Sequence, residues 1–238
     1  MSRDPLIKYL TENRTSASQN FFKEKKLYKE YSRAESIKLP QPISIDKPLS
    51  GLLLSRESRR EFGTDKISID DLGSILYWSA GAVPRIKEDT IRRIQPSGGA
   101  KYPVELYVVA FKEADQIKKG VYHYNVKTHS LENLPTTDEI DILNCLPPHD
   151  EYAKQGHFLI LFSFVKNRSF RKYGALSYKL AFIEAGHISQ NMYLITEALG
   201  HSCCGMGTSD GGLFDEALNL NEAEESVFYS LALGARSK

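Results

Sequence analysis

The eight residues Phe158-Leu159-Ile160-Leu161-Phe162-Ser163-Phe164-Val165 are almost continuously apolar. Successive strand residues face opposite sides, so such a run reads as a central strand buried on both faces. A chain that contains it must lay other elements over both sides of a sheet. Val104 to Phe111 is a second apolar strand, and Gly120 to Asn125 with Ser130 to Leu134 reads as a hairpin with alternating faces. Val227 to Leu233 is a candidate final strand before Gly234-Ala235-Arg236.

Helices are signalled between these strands. Leu49 to Leu54 is a short apolar helix. Ser68 can cap a second helix, with Asp71 three residues on, Leu72, Ile75, Leu76 and Ser79 on one face, and Gly81 closing it in a left-handed turn. A long helix is expected from about Ser177 to Leu199, stopped by Gly200. Loose alternation of strands and helices with an inserted hairpin predicts an α+β sheet layered with helices.

At 238 residues, 41% of them hydrophobic, the chain has enough for one sizeable core and too little for two. The expected division is an arm over 1–48, polar and ending in the Pro-interrupted segment Leu39 to Pro48, and a domain over 49–238. A formal net charge of +1 gives no electrostatic reason to expect nucleic acid. The basic clusters at Arg56 to Arg60 and at Arg92-Arg93 suit a small anion better. Three cysteines form no metal-ligand spacing and the six histidines no paired-ligand motif, so no metal is expected. No run is long enough to span a bilayer and the polar start lacks a signal-peptide core, which makes a soluble cytoplasmic protein the expectation.

Five segments could carry chemistry. In Pro96-Ser97-Gly98-Gly99-Ala100-Lys101-Tyr102-Pro103, small residues let the backbone approach a flat ligand while Ser97 offers a hydroxyl; the plain alternative is a turn. In an extended segment Arg56, Ser58 and Arg60 face one way and could converge on a phosphate with Arg59 turned elsewhere; the alternative is a solvated basic turn paired with Glu57 and Glu61. Lys172 and Tyr173, between the buried strand and the long helix, are candidates for proton abstraction given burial or cationic neighbours, and otherwise ordinary surface residues. On the long helix Glu184, His187 and Asn191, with Gln190 beside them, form either a polar patch facing a ligand or satisfied groups in a packed interface. Cys203-Cys204-Gly205-Met206-Gly207-Thr208 reads as a second glycine loop able to approach a flat ring, its cysteines buried small residues.

Arg56-Glu57-Ser58-Arg59-Arg60-Glu61-Phe62 resembles the Arg-x-Ser-x-Arg/Lys-x-Phe flavin-phosphate motif of nitroreductases. Pro96 to Glu105, Val121-Tyr122-His123-Tyr124 and Glu184-Ala185-Gly186-His187-Ile188-Ser189-Gln190-Asn191 resemble the SagB-type thiazole/oxazole dehydrogenases, over roughly residues 49 to 236. The resemblance implies a nitroreductase-like fold with a mostly antiparallel sheet, an intertwined homodimer and FMN at the interface. Arg56, Ser58 and Arg60 would hold the FMN phosphate and ribitol, with Arg236 as helper. Ser97, Gly98 and Ala100 would edge the ring, Gly205, Met206 and Gly207 would approach it, and Gln190 and Asn191 would add contacts. Lys172-Tyr173 matches the family's Lys-Tyr pair ahead of the long helix. The implied reaction oxidises azoline rings of a ribosomally made peptide to azoles after a cyclodehydratase has closed them.

Gly99 and Ala100 depart from simple nitroreductases, which often carry Asn there. The 48-residue arm is too short for the usual winged leader-peptide module, so peptide recognition is expected to fall to a cyclodehydratase complex. The alternatives are an NAD(P)H-dependent FMN reductase of nitro, quinone or dehydroamino-acid substrates, and a non-catalytic scaffold.

Overall fold

The computed structural model describes residues 28–83, 92–134, 139–207 and 211–237. The first 27 residues of the expected arm and Thr208 lie outside them. In chain order the strands are β1 (Ser36–Lys38), β2 (Ala82–Val83), β3 (Arg92–Arg93), β4 (Val104–Ala110), β5 (Gly120–Asn125), β6 (Ser130–Asn133), β7 (Phe158–Val165), β8 (His201–Met206) and β9 (Glu225–Ala235). The helices are α1 (Leu49–Ser55), α2 (Ile69–Ala80), α3 (Glu139–Asn144), α4 (Phe170–Tyr173), α5 (Leu176–Leu199) and α6 (Gly211–Ala217).

The seven-stranded sheet has the order β1-β6-β5-β4-β7-β9-β8, and every pairing in it is antiparallel. Seven of β7's eight residues are buried, and β4 and β9 flank it, as its unbroken apolarity requires. One face carries Val104, Leu106, Val108, Ile160 and Phe162 against Leu72, Ile75 and Leu76 of α2 and Ala181, Ala185, Ile188 and Met192 of α5. The opposite face packs Val109, Leu159, Leu161 and Ala232 against Ile142 of α3 and Phe214 of α6. The fold is therefore α+β, an antiparallel sheet between helices.

Ser68 caps α2, its hydroxyl accepting the Asp71 amide at 3.1 Å. Gly81 does not close that helix in a left-handed turn: its φ is −61° and its ψ 159°. A Cβ there would lie 2.5 Å from the Tyr77 carbonyl oxygen, so the position is restricted by space rather than by handedness. Gly200, with φ +80°, ends α5 as expected. The segment read as a second glycine loop is also different, because Cys203 to Met206 belong to β8, paired with β9 from Cys203↔Leu233 to Met206↔Ser230. Strand pairing satisfies the backbone that a loop would leave open. β1 places part of the N-terminal region on the sheet edge beside β6.

Below the apolar half of the second face lies a buried charged cluster. The Glu105 carboxylate meets Arg93, Arg168 and His123, and His123 Nδ1 lies 2.8 Å from Glu132. Arg93 is thus an internal partner of Glu105, 2% exposed, and not part of an anion-binding surface as its pairing with Arg92 in the sequence implied.

Candidate functional site

After α1 the chain runs extended across the ends of two neighbouring strands. Arg59 N donates to Cys203 O of β8 at 3.0 Å, Gly63 N donates to Ala235 O of β9 at 2.8 Å, and Phe62 bridges Arg236. Phe62 packs so closely on Gly234 that a Cβ there would sit 2.5 Å from its ring. This seam separates the arginines as the alternation predicted. Arg59 turns to Glu197 on α5 at 2.6 Å, while Arg56 and Arg60 do not.

The Arg56 guanidinium stands 5.4 Å from the centroid of the Tyr193 ring, and Arg60 stands 5.7 Å from that of Tyr152. Ser58 Oγ lies 3.1 Å from the Tyr193 hydroxyl, which also accepts the Gly205 N–H at 2.7 Å. The Tyr152 hydroxyl donates to Cys204 Sγ at 3.3 Å. Two guanidinium groups and a hydroxyl gathered around Cys204 and Gly205 make a donor set suited to a phosphate monoester. Sequence reasoning missed Tyr152, Tyr193 and Glu197. Tyr193 lies one turn beyond Ser189 on α5, where no motif or spacing marks it.

Arg236 is held away from that group. Its Nη2 bonds Glu197 at 2.6 Å and the His201 carbonyl at 3.2 Å, so Glu197 links Arg59 and Arg236. Burial pushes the Glu197 carboxyl up, but hydrogen bonds from Arg59 and Ser55 and the Arg236 charge outweigh it and leave it below the ordinary carboxylate range.

A second feature is the loop over 96–103, whose Gly98 packs on Leu180, thirteen residues before Tyr193 on α5. Ser97 Oγ accepts the Tyr102 amide at 2.9 Å and Ala100 N donates to Ser97 O at 3.0 Å. Gly99, Ala100 and Tyr102 have φ of +64°, +52° and +46°. Left-handed backbone costs a non-glycine residue roughly 1–2 kcal/mol, and strain of this kind concentrates where a chain serves a ligand. A Cβ on Gly99 would lie 2.2 Å from the Tyr173 hydroxyl and 3.4 Å from Lys172 Nζ.

The loop and the Lys172-Tyr173 pair, about seventy positions apart in the chain, are therefore in contact. Both residues ride on the short helix α4, with Lys172 exposed and Tyr173 half-buried, and Lys172 Nζ 5.0 Å from the Tyr173 ring centroid. Arg168, just before α4, donates to the Tyr102 carbonyl at 2.8 Å and pairs with Glu105, fixing the loop to the sheet.

The polar set on α5 divides. Glu184 is buried, with Gln95 donating to its carboxyl at 3.3 Å. Burial pushes that carboxyl up to about 7, against the pull of Ser97, Gln95 and the charges of Arg93 and Arg168. His187 and Gln190 are exposed, and Asn191 donates to Ser79 O of α2 at 3.4 Å. Met206 is buried, Gly205 half-buried and Gly207 exposed, with nothing within 4 Å of a Cβ at Gly207. Among the described residues no three His, Cys, Asp or Glu side chains are grouped as a metal site would need.

The architecture, an antiparallel sheet between helices with an Arg-x-Ser-x-Arg segment sewn to its edge, is one that known proteins share. Residues 53–235 match the model of the Nitroreductase family, and the chain belongs to that family. Methanocaldococcus jannaschii MJ1384, whose name marks it as a candidate nitroreductase, is 24% identical over 188 residues, 79% of this chain and 92% of the relative. The microcin B17-processing protein McbC of Escherichia coli is 30% identical over 140 residues, 57% of this chain and 50% of McbC, so the match spans half the length of that relative. Among solved structures, a chain of the E. coli microcin synthetase McbBCD complex with truncated pro-MccB17 bound superposes with TM-score 0.66 at 21% identity, covering 99% of this chain and 95% of that one. A Desulfovibrio desulfuricans protein in complex with FMN superposes with TM-score 0.52 at 18% identity over 81% of this chain and 88% of its own. At these identities the structures establish the shared fold.

Proposed function

We propose that this protein is an FMN-dependent dehydrogenase that oxidises thiazoline or oxazoline rings to thiazoles or oxazoles on a ribosomally synthesised peptide. The observation that carries the reading is the close packing of the Tyr173 hydroxyl on Gly99 of the strained loop, with Lys172 beside it. The similarity to a microcin B17-processing protein supports it.

The residues fit the cofactor. Arg56, Ser58 and Arg60 are a cationic donor set for its phosphate, Ser97, Gly98 and Ala100 would offer a backbone edge to its ring, and Gly205, Met206 and Gly207 at the end of β8 would approach it as the resemblance implies. Arg236, Gln190 and Asn191 complete the assigned set, Arg236 through its shared hold on Glu197. FMN, when bound, supplies the two-electron acceptor. Each ring gives up two hydrogens, and Lys172 or Tyr173 takes the proton from the ring Cα, positioned by the contact with Gly99. Oxygen then returns the enzyme to its starting state.

The domain that does this is residues 49–238, with 1–48 as an arm. Leu49, Leu53 and Leu54 of α1 and Tyr178, Phe182 and Ile183 of α5 are exposed, and this apolar surface supports a homodimer. A cyclodehydratase complex presenting an azoline-containing precursor peptide is the partner, by analogy with McbBCD. No helix among the described residues is long and apolar enough to cross a membrane, and a cytoplasmic setting fits the three free cysteines.

The deciding experiment is mass spectrometry of an azoline-bearing peptide incubated in air with the FMN-loaded protein, without NAD(P)H. Loss of two hydrogens per ring supports the reading. Lys172→Ala and Tyr173→Phe should retain FMN and lose that mass change; unchanged turnover in both removes the pair from the reaction. The second reading, an NAD(P)H-dependent FMN reductase, is favoured by the similarity to MJ1384 over 92% of that protein's length. It predicts rapid flavin bleaching by NAD(P)H and an unaltered peptide.

A further inference from the structure

The Tyr193 hydroxyl is the junction of the proposed phosphate site. β8 is an edge strand, so the outward N–H of Gly205 has no ladder partner and donates to Tyr193 Oη instead, at 2.7 Å. Among the described residues the hydroxyl's other hydrogen-bond partner is Ser58 Oγ at 3.1 Å. Either hydroxyl of the Ser58–Tyr193 pair can donate; with the phenol giving its hydrogen to Ser58, the serine hydrogen is left to point outward. Chains of this kind strengthen when every donor points the same way. The Arg56 guanidinium rests over the same ring, 5.4 Å from its centroid.

We propose that Tyr193 is a positioning residue for a terminal phosphate monoester: its hydroxyl orients Ser58 as a donor and its ring sets Arg56 towards that group. The proposal rests on the FMN reading, and assigns to α5 a part in phosphate selection that its apolar spacing conceals. Half-burial raises the Tyr193 hydroxyl above its ordinary range, which keeps the donor hydrogen in place at any working pH. An anion at the open end of the chain fixes its direction, whereas a neutral ligand of the same shape does not.

The test compares FMN with riboflavin, which lacks the phosphate, by flavin fluorescence titration of the full chain as wild type, Y193F, S58A and Y193F/S58A. Y193F should weaken FMN about five- to tenfold, the loss expected for one hydrogen bond to a charged acceptor, and change riboflavin less than about twofold. S58A should do the same, and the double variant should lose no more than the worse single one, because both remove one chain. Equal weakening of both flavins, no weakening, or additive losses would overturn the assignment. A wild type that holds both flavins equally well overturns it while leaving the flavin reading intact, and one that binds neither removes both. S58A alters an exposed side chain, so if Y193F does not fold, the serine variant alone must show the FMN-only loss for the assignment to stand.

Discussion

Gly99 and the hydroxyl of Tyr173 share one contact, so close that a Cβ at position 99 would lie 2.2 Å from the phenolic oxygen. Gly99 is also left-handed, with φ +64°. Gly99→Ala should therefore displace Tyr173 and strain the loop by roughly 1–2 kcal/mol. The expected outcome is at least about a tenfold loss of azoline oxidation with FMN still bound. Adding Tyr173→Phe removes the clashing oxygen, and thermal melting should show the double variant regaining part of the stability lost by Gly99→Ala alone. A Gly99→Ala protein with wild-type turnover would place the working groups elsewhere.

Glu184 makes a pH prediction with a definite sign. Its folded carboxyl sits at about 7, above the ordinary 4.5. Between those values the unfolded chain releases this proton and the folded one keeps it, so the group's contribution to stability falls as pH rises from about 4.5 to about 7 and then levels. Glu184→Gln, neutral throughout, should match wild type near pH 4 and exceed it at pH 8, by up to on the order of 2–3 kcal/mol. Urea unfolding at the two pH values measures this, and parallel curves would remove Glu184 as the cause.

Glu197 carries the opposite sign. Its carboxyl is held below the ordinary range by Arg59, Ser55 and Arg236, so it stabilises above the unfolded value and loses that effect as pH falls through the folded one. Glu197→Gln should melt lower at pH 7, by about 1–2 kcal/mol given the partly exposed arginines, with the gap closing in acid. FMN binding should also weaken, since Arg59 anchors the Arg56 to Arg60 segment. Differential scanning at pH 7 and pH 3.5 reads the first effect, and a gap that widens in acid contradicts it.

The cluster around Glu105 is a matter of fold rather than of site. Glu105 and Arg93 are 1% and 2% exposed, and Arg168 8%. Removing Arg168 leaves the buried Glu105 carboxylate to Arg93 and His123 and takes away one of its charges, so Arg168→Met should cost up to about 3–5 kcal/mol. Its denaturant midpoint should fall accordingly; a cost under about 1 kcal/mol would mean that the cluster stays paired without Arg168.

The elements that the sequence announces are those with one unambiguous periodicity. β7 has no polar alternation to confuse it, and α5 has sustained helical spacing up to a glycine that can adopt positive φ. Cys203 to Gly207 misled because its glycines suggest a turn, whereas pairing with β9 overrides local preference. Gly81 misled for a different reason: a crowding contact with Tyr77 and a left-handed turn leave the same letter in the sequence. Of the candidate site, alternation separated Arg59 from Arg56 and Arg60 correctly. Tyr193 and Glu197 were invisible, since Ser58 and Arg59 lie 135 and 138 residues before them and nothing local distinguishes an aromatic that packs from one that also hydrogen-bonds.

The position of β9 between β7 and β8 governs when the protein becomes competent. Until residues 225–235 emerge from the ribosome, β8 has no neighbour to pair with, and the Arg56 to Gly63 segment lacks half of its seam. Such closure is slow, because it joins the segment around Gly63 to Ala235 across most of the domain. A nascent chain stalled before Glu225 already carries both arginines and the serine of the anion site, yet it has no scaffold on which to align them. A truncation that removes β9 therefore unseats the Arg56 to Gly63 segment although it spares Arg56, Ser58 and Arg60 themselves.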